Sequence, residues 1–229
     1  MKGRGLDDIV IIMRNKRIRW AASVYARHIP ELRQIAEPIL RDVLGEDVKL
    51  QWMRETKTAS TGVEIRELVE HEVEEWTDGS RVDGIAAGAT RTDGVYLGEW
   101  ATVADAEEVG VLRAWEYTDV VALDSQGVIQ RIHNLRYAHP RSWIEEQLVK
   151  KIEERPRTLM WVKGHCGVEG NEAADRTAKR EVELGRRLGK IIVATPAGIK
   201  QGFPVGIPKG TGAHEVVSDG DKGASVHGH

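Results

Sequence analysis

Four acidic residues stand where the sequence predicts that a strand ends or a helix begins. Asp78 lies in the segment WTDGS, where a β-compatible run meets a turn, and Asp124 closes the β-branched run VVALD. Glu107 lies in the first turn of a predicted helix, and Asp175 lies in the last predicted helix of the same region. Each residue taken alone has an ordinary structural explanation, as a turn former, a partner of the helix dipole or a cap.

As a set, these four carboxylates predict a site for divalent cations. The carboxyl ends of strands are where the binding sites of α/β sheets gather. Carboxylates brought together repel one another unless a cation lies between them, and Mg²⁺ prefers such oxygen ligands. Two Mg²⁺ ions about 3.5–4 Å apart would stabilise both the attacking and the leaving oxygen in phosphodiester cleavage. We therefore expect two Mg²⁺ ions here, with Mn²⁺ as a substitute.

The elements that must position these residues form a predicted α/β domain at residues 71–185. The letters TDG at 92–94 join two strands as a hairpin, and Thr102 with Asp105 forms a capping-box pattern before Glu107. The order along the chain is β-β-β-α-β-α-α-β-α, which predicts a five-stranded mixed sheet flanked by helices. The predicted strands span residues 73–77, 84–91, 95–102, 119–124 and 158–163, and further helices begin near Ser125, Ser142 and Asn171.

Two flanking regions differ from this domain in composition. Residues 1–70 are charged, and apolar residues three and four apart predict a helical N-terminal extension, in which Pro38 kinks or opens a helix. A basic cluster at residues 14–19 fits either a solvated helix face or an anchor for phosphates. Residues 186–229 are rich in Gly and Pro, so we expect a mostly disordered tail.

The overall composition excludes several classes of protein. The 33 basic and 36 acidic side chains nearly balance, which excludes a wholly basic nucleic-acid coat protein. No stretch approaches the ~18–20 apolar residues of a membrane span, and the N-terminus does not read as a secretory signal. The single cysteine, Cys166, excludes an internal disulfide and suits a reducing compartment. We expect an intracellular protein, nuclear or cytoplasmic, without a membrane partner.

Four segments of the middle region add a more specific signal. They are WTDGS at 76–80, AEEVGVLRAW at 106–115, VVALDSQGVIQRI at 120–132 and WVKGHCGVEGNEAADRTAK at 161–179. Together they resemble the type 1 ribonuclease H domain, over about half of the chain. The sequence as a whole, including ATPAGIKQ at 194–201, is most similar to ribonuclease H domains of fungal non-LTR retrotransposon polyproteins.

The resemblance implies a ribonuclease H-like fold and catalytic roles for five residues. His165, on a loop flanked by Gly164 and Gly167, would assist proton transfer or release of the cleaved phosphate. A loop residue without chemistry is the alternative for His165. The metal-binding catalytic acids would be Asp78, Glu107, Asp124 and Asp175.

The same resemblance implies four contacts to substrate, at Gly79, Ser80, Ser125 and Asn171. Gly79 and Ser80 would let a nucleic-acid backbone approach closely, because Gly has no side chain to obstruct it. Ser125 and Asn171 have a second interpretation, since each also stands where a helix N-cap is expected.

The implied substrate is an RNA–DNA hybrid, whose RNA strand would be cut to leave a 3′-hydroxyl and a 5′-phosphate. The 2′-hydroxyl distinguishes RNA, and weak sequence preference is expected, because contacts to sugar and phosphate carry no base identity. A reverse transcriptase domain is the implied partner, with residues 1–70 as the remnant of its connection. The alternatives are a retroelement-derived fragment that binds nucleic acid without cutting it and a nuclease of the same fold that acts on DNA.

Three positions depart from the pattern or compete with it. Gly110 replaces the usual Ala, which lowers intrinsic helix stability by roughly 1 kcal/mol. Glu108 competes with Glu107, although the pair Ala106-Glu107 matches the pattern better. Cys166 stands in the loop where a small polar residue is expected, and we interpret it as a tolerated small residue.

Overall fold

A mixed β-sheet organises the described part of the chain. The computed structural model describes residues 4–27, 29–46, 48, 50, 57–188 and 193–203. Within these residues the sheet has six strands in the order β1-β6-β5-β2-β3-β4. The strands are β1 Val63–Arg66, β2 Glu75–Val82, β3 Ile85–Thr90, β4 Gly94–Gly98, β5 Val120–Leu123 and β6 Arg157–Trp161.

Parallel and antiparallel pairings divide the sheet at β2. Strands β1, β6, β5 and β2 are paired in parallel, whereas β2, β3 and β4 form antiparallel hairpins. The β2–β5 pairing joins only Glu75 to Val121 and Trp76 to Ala122. Continuing that register by two residues puts Asp78 opposite Asp124, just beyond the last paired residues.

Helices cover both faces of the sheet. One core contains the fully buried Trp115 together with side chains of α3, α4 and α5. A smaller core on the α6 side joins Trp76, Met160 and Ala174. The helices are α1 Arg4–Tyr25, α2 Pro30–Leu44, α3 Val103–Ala114, α4 Gln126–His133, α5 Trp143–Glu154, α6 Glu169–Leu188 and α7 Pro196–Gly202, with short 3₁₀ turns at Glu70–Glu72 and Asn134–Arg136.

A third core joins the two ends of the described chain. Side chains of α1 and α2 pack there with Ala194, which precedes α7, and with Ile199 of α7. The Tyr25 hydroxyl donates a hydrogen bond to the Ala194 carbonyl oxygen at 3.1 Å. Thr195 ties this cluster to the sheet domain, because its hydroxyl donates to Asp105 at 2.8 Å.

The predicted α/β class and the element order within residues 71–185 are confirmed. Thr102 and Asp105 form both halves of the predicted capping box at the start of α3. At the start of α5 the Ser142 hydroxyl accepts a hydrogen bond from the Glu145 amide, while the Glu145 carboxylate pairs with Arg141. Helix α2 runs through Pro38.

Two predictions at the edges of the domain are wrong. The sheet has six strands rather than five, because β1 pairs in parallel with β6 and begins eight residues before the predicted boundary at 71. The predicted disordered tail from residue 186 is wrong for residues 193–203, which include α7 and are held by apolar contacts to α1. Residues 204–229 lie outside the described part of the chain.

Glycines let α3 approach the β2–β3 hairpin at backbone distance. A Cβ on Gly88 would collide with the Ala106 carbonyl oxygen, and a Cβ on Gly79 would collide with the Glu107 amide nitrogen. On the helix side, a Cβ on Gly110 would lie 2.9 Å from the Ala89 carbonyl oxygen. The departure at position 110 therefore has a packing reason, which offsets its intrinsic cost to the helix.

We expect Gly88→Ala to destabilise the fold by at least ~2 kcal/mol. The added Cβ would meet the Ala106 carbonyl oxygen and the Gly110 amide nitrogen, and these backbone atoms of α3 cannot move independently of the helix. This destabilisation corresponds to a fall of roughly 4–8 °C in Tm, measured by thermal unfolding. The matched control is Gly127→Ala in α4, where a Cβ meets nothing within 4 Å. Equal Tm values for the two variants would contradict the close approach of α3.

Candidate metal centre

Three of the four predicted acids meet at one point of the structure. Asp78, Glu107 and Asp124 each place a carboxylate oxygen so that the three oxygens lie within 4.8 Å of one another. Asp78 belongs to β2, Glu107 to α3, and Asp124 follows the last residue of β5. Three elements that are separate in sequence thus deliver one carboxylate each.

Backbone contacts set the positions of these carboxylates. The capping box fixes the start of α3, and Gly79 leaves room for the Glu107 backbone beside β2. Asp78 accepts a hydrogen bond from the Gly79 amide at 2.8 Å. Asn171 of α6 donates its side-chain amide to Asp124 at 3.4 Å.

Asp175, the fourth predicted acid, reaches the centre from α6. Its carboxyl group lies within hydrogen-bonding reach of Asp78, where it raises the pKa of that residue. On its other side Asp175 forms an ion pair with Lys179, one helical turn later, at 2.7 Å. The side chain of Lys179 therefore supplies a positive charge to Asp175, the outermost acid of the group.

Burial and repulsion between carboxylates raise the pKa of Asp78 and of Glu107 when no cation is bound. Burial is the largest cause that raises the pKa of Asp78 to about 7, and the charge of Asp124 adds to it. Burial, followed by the charges of Asp78 and Asp124, raises the pKa of Glu107 to about 9. The Gly79 amide opposes both shifts without cancelling them. A divalent cation would favour the ionised forms, because its charge reverses the local repulsion.

Two buried oxygens at this centre make no hydrogen bond among the described residues. They are Oε2 of Glu107 and Oδ1 of Asn171. A buried acceptor without a donor costs free energy, and a hard cation or its bound water would satisfy it. The donor set consists of oxygens only, so the residues fit Mg²⁺ or Mn²⁺ better than a softer metal.

A second group of possible ligands adjoins the first and shares Asp175. His165, Glu172 and Asp175 place one ligand atom each within 4.8 Å of one another. His165 is exposed on the loop between β6 and α6, with a left-handed φ of 54°. Glu172 is not among the predicted site residues, although its position three residues before Asp175 puts both on one face of α6.

The predicted substrate contacts occupy different environments. Gly79 faces the backbone of Glu107, where a side chain would not fit, so its first role is to let α3 pack closely on β2. Ser80 is buried within β2. Ser125 occupies the N-cap position of α4, but its hydroxyl makes no capping hydrogen bond. Asn171 is not an N-cap, because α6 begins at Glu169. A contact between each of these residues and substrate stays a prediction.

The neighbouring acid Glu108 points away from the centre. It is fully buried and accepts a hydrogen bond from Arg131 at 2.6 Å. Successive residues of a helix lie about 100° apart, so only Glu107 faces Asp78. Cys166 is exposed on the loop that carries His165.

Comparisons with known proteins find no match to the chain, either among protein-family models or among curated proteins. Among the described residues, no helix is both long enough and apolar enough to cross a membrane.

We expect the thermal stability of the metal-free protein to fall as pH rises from about 5 to 9. The folded state holds protons on Asp78 and Glu107 up to pH values near 7 and 9, whereas the unfolded chain releases them near pH 4. The unfolded state thus binds fewer protons in this window, and raising the pH favours it. Added Mn²⁺ should reverse the fall, by ~2.7 kcal/mol or roughly 5–10 °C in Tm at a hundredfold excess over Kd.

Glu107→Gln separates the two effects in the same thermal assay. It should raise the Tm of the metal-free protein at pH 8, because Glu107 must bind a proton on folding at that pH whereas the amide side chain need not, and should abolish most of the Mn²⁺ response. A variant that kept the full Mn²⁺ response would contradict the role of Glu107 as a ligand.

Lys179→Met should tighten Mn²⁺ binding by up to about fivefold, the range of an exposed ion pair. Lys179 competes with a bound cation for Asp175 and adds like charge to its surroundings. Calorimetric titration measures the change, with Arg187→Met on the same helix as control, since Arg187 pairs with Glu183 instead. Unchanged or weaker binding in Lys179→Met would show that Asp175 does not join the centre.

Proposed function

We propose that this protein is a metal-dependent endonuclease of the ribonuclease H type, which hydrolyses the RNA strand of RNA–DNA hybrids. One observation carries the proposal: the carboxylates of Asp78, Glu107 and Asp124 converge within 4.8 Å, with Asp175 beside them. The four residues belong to the segments on which the resemblance depends. Asp78, Glu107 and Asp175 come from β2, α3 and α6, and Asp124 comes from the end of β5. These elements are far apart in the sequence, and only the fold brings the four residues together.

The architecture supports a ribonuclease H-like fold for residues 71–185. Three antiparallel strands come first, and a parallel strand then pairs beside the first of them. Helices α3 and α6 pack on opposite faces of β2 and hold Glu107 and Asp175 at its centre. In the proposed fold these are the positions of the catalytic acids.

The side chains of the centre have separate tasks. A divalent cation held by these carboxylates would supply Lewis-acid stabilisation of the charge on the phosphate oxygens. Asp78, Glu107 and Asp124 would hold the cation, and Asn171 orients Asp124 through its amide. The buried setting of Glu107 excludes bulk water on the α3 side, which strengthens each electrostatic interaction.

His165 is the proposed proton carrier. Its imidazole is exposed next to Glu172 and Asp175, so it can take up a proton or deliver one at the open side of the centre. The left-handed φ at His165 and the positive φ of 78° at Gly167 give its loop a tight path. This tight loop would let the imidazole of His165 approach the leaving oxygen of the cleaved phosphodiester.

The helical extension supports a link to a second domain. Helices α1 and α2 pack with α7 rather than on the centre. Because β1 belongs to the sheet, we propose that α1 and α2 alone are the remnant of a connection to a reverse transcriptase domain and form its docking side. The exposed apolar side chains Ile9, Val10 and Met13 of α1 fit such a role.

The deciding experiment follows a labelled RNA–DNA hybrid, with duplex DNA and duplex RNA as controls, in Mg²⁺, in Mn²⁺ and in chelator. We expect metal-dependent loss of the RNA strand of the hybrid only. Asp124→Asn preserves the shape of the side chain and removes one ligand charge, so it should lower the rate by more than ~100-fold.

Asp83→Asn is the matched control, because Asp83 is an exposed acid in a turn with φ of 48°, a conformation that Asn tolerates. It should cleave at the parental rate. Cleavage of duplex DNA would point to the DNA nuclease alternative. Equal rates for Asp124→Asn and the parent would refute the site, and folded protein that binds hybrid without cutting it would favour the non-catalytic alternative.

A further inference from the structure

A cavity of about 580 Å³ lies between the terminal helices and the sheet domain. On the side of the terminal helices it is lined by Arg27, which follows α1, and by Lys200 of α7. On the side of the domain it is lined by Arg131 of α4 and by Arg141, which precedes α5. Its volume falls within the ~300–1,000 Å³ of typical small-molecule sites, and none of the four acids of the metal centre lines it.

Arg131 is held by buried carboxylates in a way that leaves its outer nitrogens for a ligand. Its Nε–H donates a hydrogen bond to the fully buried Glu108 at 2.6 Å, and the same nitrogen lies 3.3 Å from Glu145. Its two Nη groups have no partner among the described residues, and the side chain is 30% exposed where it lines the cavity. A guanidinium fixed through Nε presents a preformed pair of donors to an anion.

Arg27 and Lys200 carry positive charges that no described acid neutralises. Neither residue forms an ion pair with a described carboxylate. Lys200 is half-buried, and burial, followed by the charges of Arg19 and Arg27, lowers its pKa. Arg19 is held beside α7, because it donates a hydrogen bond to the Lys200 carbonyl oxygen at 2.6 Å. The fold thus keeps three cations together, an arrangement that an anion among them would stabilise.

The two acids that line the cavity are already engaged. Oδ2 of Asp105 accepts three hydrogen bonds from the N-cap residues of α3 and α7. Glu145 forms ion pairs with Arg141 at 2.9 Å and with Arg131. Both acids are only 2% exposed. Even with Glu108 included, three acids stand against four cations, and none of the three forms an ion pair with a cation of the terminal helices.

Donors on both sides of a cavity favour a phosphate group over other anions. A phosphate presents acceptor oxygens in several directions, whereas a carboxylate presents two oxygens in one plane. Guanidinium groups bind phosphate through paired hydrogen bonds, and lysine binds it as a point charge.

We propose that this cavity binds a phosphate group, with Arg131 as its anchor on the sheet domain and Arg27 and Lys200 as its contacts on the terminal helices. The phosphate can belong to a small phosphorylated molecule or to the backbone of a nucleic acid. Once bound, it bridges α7 to α4 and fastens the terminal helices to the domain. The proposal does not rest on the proposed function, since the acids of the metal centre take no part in it.

The test measures phosphate binding by the full chain in chelator, at constant ionic strength set by chloride, because charge–charge attraction depends on salt. Calorimetric titration follows inorganic phosphate and adenosine 5′-monophosphate, and fluorescence anisotropy follows a labelled RNA–DNA hybrid. Lys200→Met and Arg27→Met should each weaken binding by about 10- to 100-fold, the range for loss of one charged hydrogen bond. Lys150→Met is the matched control, since Lys150 is an exposed lysine of α5 that does not line the cavity.

Thermal unfolding verifies that the variants are folded and supplies a second readout. Without phosphate, the Tm of Lys200→Met should equal or exceed that of the parent, because the change removes a half-buried cation placed near Arg19 and Arg27. A hundredfold excess of the bound phosphate compound over Kd should raise the Tm of the parent and of Lys150→Met by roughly 5–10 °C, and that of Lys200→Met by much less.

The two arms of the test identify the source of the phosphate. Binding of inorganic phosphate or the mononucleotide that both cavity variants lose would assign the site to a small molecule. Binding of the hybrid alone, lost in the same variants, would assign it to a nucleic-acid backbone. Absence of binding in both arms by folded protein, or equal binding by the parent, Lys200→Met and Arg27→Met, would overturn the phosphate site.

Discussion

Mutual repulsion of buried carboxylates is the constraint on which the rest of the site depends. Asp78, Glu107 and Asp124 share a small volume, in which burial and like charge raise the pKa of Asp78 and of Glu107. The fold tolerates this because each acid is fixed by a different element, so that no single local rearrangement relieves the repulsion. Free energy from packing elsewhere thus keeps together a group of carboxylates that could hold a metal ion.

The packing that maintains this arrangement is a backbone contact between α3 and the β2–β3 hairpin. Glycines at 79, 88 and 110 bring helix and hairpin to a separation that side chains would prevent. Such a contact leaves little freedom for the helix to slide or rotate, because its neighbours are backbone atoms rather than flexible side chains. The direction of Glu107 is therefore set by the backbone of the domain.

Much of the domain could be predicted because its patterns are local. The β-branched run that ends in Asp124 and the capping box before Glu107 identify the end of β5 and the start of α3. The predicted turn at Asp78 is wrong, because Asp78 lies within β2, which continues to Val82. Strand β1 was missed because its alternation of apolar and charged residues spans only four positions, too few to stand out from the charged region around it. Helix α7 lies in a Gly- and Pro-rich segment, where only Thr195 as N-cap and Pro196 in the first turn signal a helix. The tie between Lys179 and Asp175 depends on which face of α6 meets the sheet, which periodicity alone does not decide.

The union of α1, α2 and α7 has a consequence for the order in which the molecule forms. Tyr25 and Ala194 are 169 residues apart, so their contact closes nearly the whole described chain into a loop. Contacts of such sequence separation incur the largest loss of chain entropy and add little until the intervening sheet is assembled. We therefore expect this cluster to assemble last and, in native-state hydrogen exchange, to open as one cooperative unit while the amides of β2 and β3 stay protected. Helices α1, α2 and α7 would therefore pack together only after the sheet domain has folded.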